Sequence, residues 1–360
     1  MDPIFVASKN YTMGRESIIQ ICLIILTWSG SEKCFGQSNA NSSSLFKKNT
    51  LTNEFVSEGV ATGDVNKDGK IDVLAGTFWF EAPNWEQHEI VAGKTFKPGS
   101  EYSDSFLNFA LDVNLDDWVD LIVIGFPGTA GVWYENPKTG GGHWKKHIIS
   151  ETVGIGNESP NFVDIDGDGR KDILCADSNA KQIVWLRAPT VKGATDWVRI
   201  PISETNAPGT DKFSHGLGLG DINKDGRKDI IIKSGWWEAP EDRTKSTWKF
   251  HNADLGQDCS HMHVFDVNAD GLNDVISASA HKYGIWWYEQ GKDVNGNATW
   301  TTHEITKNIS QTHSSILIDL NGDDNPDLIT GKRFFAHNDT QTDPGTYDPA
   351  VLAWFEFKPG

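Results

Sequence analysis

Cysteine and methionine are scarce in this chain, with four and three copies among 360 residues. Cys22 and Cys34 fall in an N-terminal segment read below as removable, which leaves Cys175 and Cys259, and two isolated cysteines build no disulfide framework. Positive charge is short as well: 32 Lys and Arg stand against 50 Asp and Glu, a net charge of -18 that would repel nucleic-acid phosphates. Long apolar runs are missing apart from Ile18 to Trp28, which is too short to read as a membrane span. No nucleophile elbow, P-loop or dinucleotide fingerprint is present, so hydrolase triads and nucleotide chemistry are disfavoured.

What the chain has in excess is one acidic motif, D-x-[ND]-x-D-[GD]-x-x-D, in six copies about 50 residues apart. The copies are Asp64-Asn66-Asp68-Asp72, Asp112-Asn114-Asp116-Asp120 and Asp164-Asp166-Asp168-Asp172, then Asp221-Asn223-Asp225-Asp229, Asp266-Asn268-Asp270-Asp274 and Asp319-Asn321-Asp323-Asp327. After each comes a β-branched run such as Asp229 to Ile232, dense enough in apolar groups for a buried strand. An aromatic strand follows, for example Phe78 to Glu81, Val132 to Glu135 or Trp286 to Glu289. Next is an alternating segment opened by tryptophan, for example Trp85 to Ile90 or Trp144 to Ile148, whose period of two marks a half-exposed outer strand. His88, His147, His251 and His303 recur within these outer segments and read as structural. With the apolar stretch before each acidic loop, every unit holds four short strands, which is one propeller blade.

The last unit ends on Leu352 to Phe357 without a fourth strand, whereas Phe46 to Leu51 precedes the first acidic loop with no blade of its own. The expected fold is all-β: a β-propeller of six four-stranded blades, closed by that N-terminal strand completing the last blade, with a degenerate seventh blade left open. Closure would remove a sheet edge that invites aggregation. Arg15, the apolar run and the small residues to Gly36 read as a signal peptide over 1–36, followed by a linker over 37–45 and a single propeller over 46–360. A buried core helix is the alternative for the apolar run. A secreted, periplasmic or cell-surface location is expected, with no stable membrane span after processing.

Oxygen ligands at alternate positions of a glycine-containing turn let one short loop wrap a Ca²⁺ ion, as in an EF-hand. A turn held by Asx hydrogen bonds without an ion is the alternative. Asp117 and Asp324 replace the central glycine in the second and sixth loops, and Pro326 interrupts the sixth, so those two sites depart from the pattern. Motif and blade resemble FG-GAP/VCBS repeats, the family of integrin α-subunit propellers, over residues 55 to 357. The resemblance implies calcium bound in these loops, and such ions would be structural. Secreted propellers similar to this chain include sugar dehydratases of the aldos-2-ulose type and some polysaccharide lyases.

Strand order makes a second face legible. If the acidic loops join first and second strands at one end, then first-strand starts and second-strand ends meet at the other, around the channel mouth. Those positions hold Glu158, His215, His261, His263 and His313 at starts, and His281, Lys332 and Arg333 at ends. His261-x-His263 puts two imidazoles on one side of a strand, where both could take one cation. Imidazole-rich sets favour Zn²⁺ or another divalent transition metal, and a hydrated polar lining without metal is the alternative. An insertion between Lys332 and Val351 leaves from this face and carries His337 and Tyr347.

Two functions are compatible with this. In the first, a metal-assisted carbohydrate lyase or dehydratase, His261, His263, His313 and Tyr347 serve as acid and base, and Arg333 and Lys332 stabilise an enolate-like intermediate. His215, His281, His337 and Glu158 are then the candidates to hold a cofactor metal. In the second, a non-catalytic module presents the same mouth to a glycan or a protein ligand.

Overall fold

The computed structural model describes residues 49–245, 247–333 and 343–358. The signal peptide, the linker, Phe46 to Lys48 and His337 lie outside the described residues. The described chain is all-β and propeller-like, with one 3-10 turn at Lys138–Gly140, and no helix in it is long and apolar enough to cross a membrane.

Each acidic repeat builds an antiparallel meander in sequence order. The first comprises β1 (Ala61–Gly63), β2 (Asp72–Ala75), β3 (Phe78–Glu81) and β4 (Glu86–Glu89); the second β5 (Leu107–Leu111), β6 (Asp120–Ile124), β7 (Val132–Glu135) and β8 (Lys145–Ile148). The third runs β9 (Asn161–Val163), β10 (Asp172–Asp177), β11 (Gln182–Arg187) and β12 (Val198–Pro201), and the fourth β13 (Leu217–Gly220), β14 (Asp229–Ile232), β15 (Gly235–Glu238) and β16 (Lys249–Asn252). The fifth has β17 (His261–Phe265), β18 (Asp274–Ala278), β19 (Tyr283–Lys292) and β20 (Ala298–Ser310). The last has three strands, β21 (Ser315–Ile318), β22 (Asp327–Gly331) and β23 (Leu352–Phe355).

Second strands are buried along their whole length in the first-to-fifth meanders or nearly so, as in Asp120–Ile124 and Asp229–Ile232, which is why they read as unbroken apolar runs. Outer strands alternate or face solvent, as Glu86–Glu89 does. The core is a chain of clusters between consecutive meanders rather than one centre: Ile122 and Trp133 pack with Ile173 and Val184, Trp185 and Ile200 with Ile230 and Trp237, and Ile276 and Ile285 with Leu328.

First strands neighbour one another around the axis, β1 beside β5, β9 beside β13, β13 beside β17 and β17 beside β21. Between the fourth and fifth meanders the approach becomes a parallel ladder, Leu217 with His261 and Gly218 with Met262. Glycine at 218 permits it, since a Cβ there would lie 2.3 Å from the Met262 carbonyl oxygen. Of the expected closing strand, Asn49 to Leu51 join no ladder, and Leu51 packs against Val56, Ala75, Phe78 and Phe80 of the first meander.

Candidate metal centre

Five of the six acidic loops share one hydrogen-bond scheme, and in the third Asp172 keeps only the bond from Ala188 N–H (2.8 Å). In the first, Asp64 accepts from the N–H groups of Asp68 (3.1 Å) and Gly69 (3.0 Å), and Asn66 Oδ1 accepts from Asp68 N–H (3.0 Å). The ninth residue, Asp72, is buried, and its two oxygens accept from Val65 N–H (2.9 Å) and Ala82 N–H (2.8 Å), tying the loop to the exit of β3. Asp120, Asp229, Asp274 and Asp327 repeat that clamp. Burial nevertheless pushes the Asp120, Asp172 and Asp229 carboxyls up to about 7, an environment that a nearby cation would relieve.

The outer-strand histidines support the loops from behind. His147 stacks on Trp133 at 4.2 Å and bonds Glu135 at 2.8 Å, and Glu135 accepts from Asn114 Nδ2 at 3.3 Å. The same chain runs through Trp79, His88, Glu81 and Asn66, and through Trp287, His303, Glu289 and Asn268. Holding the amide nitrogen turns each asparagine oxygen toward its loop, which is the atom an ion would use. The third loop differs: Arg187 stands where the others have glutamate and pairs with Asp166 (2.6 Å) and Asp168 (3.3 Å). Its three carboxylates, Asp164, Asp166 and Asp168, gather within 4.8 Å of one another.

Asp117 and Asp324, which replace glycine, keep the loop geometry by adopting φ of 73° and 67°. Their N–H groups bond the first aspartate as glycine does elsewhere, at 2.7 and 3.0 Å. Aspartate tolerates this left-handed region at a cost that glycine avoids. Asp117→Gly is therefore expected to stabilise the protein by about 1 kcal/mol; a melting temperature at or below that of the parent would contradict it.

At the opposite face the sequence of turns brings together four meanders. Glu158 precedes β9, His215 precedes β13, His281 lies between β18 and β19, and His313 precedes β21. His215 Nε2 is 3.1 Å from His281 Nε2, 3.4 Å from His313 Nε2 and 3.1 Å from Glu158 Oε2, and His313 Nε2 is 3.6 Å from that same oxygen. A tetrahedral ion with bonds of roughly 2.0–2.1 Å has ligand-to-ligand edges of about 3.3–3.4 Å. The three imidazoles bring ligand nitrogens within 4.8 Å of one another, and Glu158 stands beside two of them, His215 and His313, at distances close to such an edge. A central cation would take the lone pairs of all three imidazoles together.

A further ring of residues orients the imidazoles. His281 Nδ1 lies 2.8 Å from Asp343; if that nitrogen carries the proton, Nε2 presents its lone pair inward. Burial lowers the His281 pKa, with Asp343 opposing the shift. Arg333 Nη2 bonds Asp343, and Arg333 Nη1 sits 2.9 Å from both ring nitrogens of His313, over the ring rather than along either lone pair. Gln311 accepts from Arg333 Nε (3.2 Å) and donates to Pro344 O (3.0 Å) and Thr346 Oγ1 (3.1 Å), which fastens the described part of the insertion to the mouth.

Other sequence candidates are placed differently. Lys332 is only 6% exposed and donates to the Arg333 and Thr346 carbonyls at 3.2 and 3.3 Å; burial lowers its pKa. Tyr347 is 85% exposed, and among the described residues it makes no hydrogen bond to the cluster. His261 and His263 lie on β17 itself: His263 Nε2 meets Ser315 Oγ at 2.9 Å, and His261 faces the Pro160 carbonyl. They share a strand face, as their spacing requires, but the three-histidine group forms from turns and does not include them. Asp343 and Gln311 carry no sequence signal beyond their neighbourhood to the mouth.

Burial pushes His261 down to about 4 and His263 to about 3, from an ordinary 6.5. Both depressions have one sign: below pH 6.5 the unfolded chain takes up protons that the folded chain refuses, so stability falls as pH drops toward 4. The double change His261→Gln, His263→Gln should flatten that slope in melting curves between pH 6.5 and 4. An unaltered slope would mean that the two imidazoles are solvated.

Several solved structures align with the chain. It aligns with a lectin from Agrocybe aegerita described as recognising non-reducing terminal N-acetylglucosamine, at 16% identity and TM-score 0.48, over 83% of this chain and 85% of that one. The rhamnogalacturonan lyase YesW aligns at 10% identity and TM-score 0.42, over 76% of this chain and 54% of the other. The biofilm matrix protein Bap1 of V. cholerae aligns at 18% identity and TM-score 0.33, over 78% and 36%. No curated protein sequence matches the chain. The FG-GAP-like repeat family matches residues 112–175, 164–232 and 266–330. Those matches cover just over half of the sequence and fall on the acidic loops with their flanking strands, and the chain belongs to the FG-GAP-like repeat family.

Proposed function

We propose that His215, His281, His313 and Glu158 hold one zinc or other divalent transition-metal ion, and that the protein is a secreted, calcium-stabilised propeller acting on carbohydrate as a lyase or dehydratase. The observation that carries this reading is the convergence of three imidazoles from different meanders within 4.8 Å of one another, with Glu158 Oε2 3.1 Å from His215 Nε2. A metal bound there would supply a Lewis acid for a sugar carbonyl or carboxylate. Arg333 would lend positive charge to a bound sugar carboxylate, and Asp343 holds both Arg333 and His281 in place. Six blades, the last completed by the N-terminal strand, are part of the same proposal.

The test is metal content of the mature protein, purified without a histidine tag, for wild type and for His215→Ala, His281→Ala. One equivalent of transition metal, lost in the variant while calcium remains, is the expected result; formation of a conjugated product on acidic or keto sugars would then establish elimination. Calcium alone in both proteins would overturn the metal centre. The binding-module reading has its own support, since Lys332 and Arg333 are engaged in holding the insertion. It takes precedence if the metal is present but no sugar is consumed. Calcium in the acidic loops has a separate readout: excess chelator should lower the melting temperature, and an unchanged melt would leave those loops as ion-free turns.

A further inference from the structure

An exposed aromatic ledge lies on the mouth face beside the histidine cluster. Tyr102 and Phe106 precede β5, Phe126 follows β6 and Phe213 precedes β13, so the meander topology delivers all four to one end. Their ring centroids are 5.4 Å apart for Tyr102 and Phe106, 5.5 Å for Phe106 and Phe126, and 5.6 Å for Phe126 and Phe213. Phe126 is 38% exposed and Phe213 44%. Large apolar rings in solvent, collected at one spot, mark a surface that meets something.

Lys212 gives the ledge its sign. Its stem lies along Gly128, and its Nζ sits 5.0 Å from the Phe126 ring centre and 4.9 Å from that of Phe213. Lys181 and Lys233 at the same face are paired with Asp211 and Asp258. Lys212 has no carboxylate partner among the described residues, which leaves its charge available to an anion. The acidic loops, which carry much of the negative charge, open at the opposite end of the first strands. The ledge also adjoins the histidine cluster: Phe213 N–H bonds Gly156 O at 2.8 Å, and Glu158 N–H bonds Ser214 O at 3.0 Å.

We infer that this ledge is a subsite for a hexuronate residue of an acidic oligosaccharide. Neighbouring rings stand edge to face, at 90° for Phe106 and Phe126 and 80° for Phe126 and Phe213, so the C–H face of a pyranose ring rests on one exposed ring while a uronate carboxylate meets the ammonium group that lies over Phe126 and Phe213. The inference names a substrate class for the carbohydrate reading above and rests on it only for the neighbouring reaction; sugar binding at the ledge is measurable without the metal.

The experiment is calorimetric titration of the full chain with trimers of galacturonate, glucuronate and mannuronate, and with their carboxyl-reduced counterparts. Lys212→Met, Phe126→Ala with Phe213→Ala, and His215→Ala with His281→Ala are titrated alongside wild type. Wild type should bind at least one acidic trimer more tightly than its reduced form. Lys212→Met should erase that preference, about tenfold, and leave the reduced sugar unchanged. The phenylalanine pair should weaken both sugars about tenfold. Lys212→Met retains the lysine stem, so the acid-to-neutral ratio decides the matter even if the phenylalanine pair fails to fold. No binding of any acidic trimer, equal affinity for acidic and reduced sugars, or affinity unmoved by the lysine and phenylalanine changes would each overturn the inference. Binding that survives in a histidine variant, from a parent that never held metal, would sink the metal centre and leave the ledge standing.

Discussion

Replacing His281 by alanine is expected to weaken transition-metal binding by about a hundred- to a thousandfold. Four-ligand zinc sites bind with roughly 10–16 kcal/mol, or about 2.5–4 kcal/mol for each ligand, which is the source of that factor. Asp343→Asn should have a smaller effect, about tenfold, because it removes the charge behind the His281 Nδ1 hydrogen bond and leaves the ligand itself in place. Competition against a chromophoric zinc chelator measures both. A merely structural role for Asp343 would destabilise the fold without changing affinity, so melting curves of the metal-free proteins belong beside the titrations. If wild type and His281→Ala compete equally, the convergence at the mouth does not hold an ion.

The second large effect concerns the ninth aspartate of the acidic repeat. Asp229→Ala is expected to cost about 4 kcal/mol of stability, because Ile222 N–H (2.9 Å) and Ala239 N–H (2.8 Å) both donate to this carboxylate and both residues are buried. An unsatisfied buried donor costs roughly 1–3 kcal/mol, and the change leaves two of them. The carboxylate's own burial, which raises its pKa to about 7, subtracts from the loss. Asp225→Ala serves as the comparison: its side chain lies in the exposed part of the loop, where it accepts from Arg227 N–H (2.9 Å), from Asn223 Nδ2 (3.0 Å) and from the Arg227 guanidinium. In excess chelator the Asp229→Ala deficit should persist, whereas that of Asp225→Ala should shrink to the loss of exposed turn hydrogen bonds and one surface ion pair. A guanidinium midpoint for Asp229→Ala that matches wild type would show that the ninth aspartate is not a clamp.

That clamp was only half legible in the sequence. Nine-residue spacing marks Asp229 as part of the loop and suggests an ion ligand, but its contact with Ala239 depends on where β15 ends, ten residues further on. The third loop shows the same limit. Asp166 in place of asparagine and Arg187 in place of glutamate look like unrelated changes along the chain, and folded they form one charge-compensated pair. Asp117 and Asp324 read as weak points of the motif, yet the backbone takes the same left-handed turn there because aspartate tolerates it.

The mouth followed a similar course. Meander topology alone assigned His215, His281, His313 and Glu158 to one face, because the ends at which strands enter and leave follow from chain order. Which of the face's histidines converge did not follow. His261-x-His263 carried the stronger local pattern, but a strand holds its side chains at fixed orientation against the neighbouring strand, and these two meet Ser315 and the Pro160 carbonyl. Turn residues are free to reach across the axis, and the three that do so come from different meanders.

Sequence by itself determined the repeat, the strand order within it and the end of the molecule to which each loop belongs, since period, alternation and turn chemistry are local properties of the chain. Tertiary structure alone decided which imidazoles share a point in space, that Asp343 stands behind His281, and that Lys212 lies over two phenylalanines. Such contacts join residues tens of positions apart, and their distances depend on how the meanders are set around the axis, which no local pattern encodes.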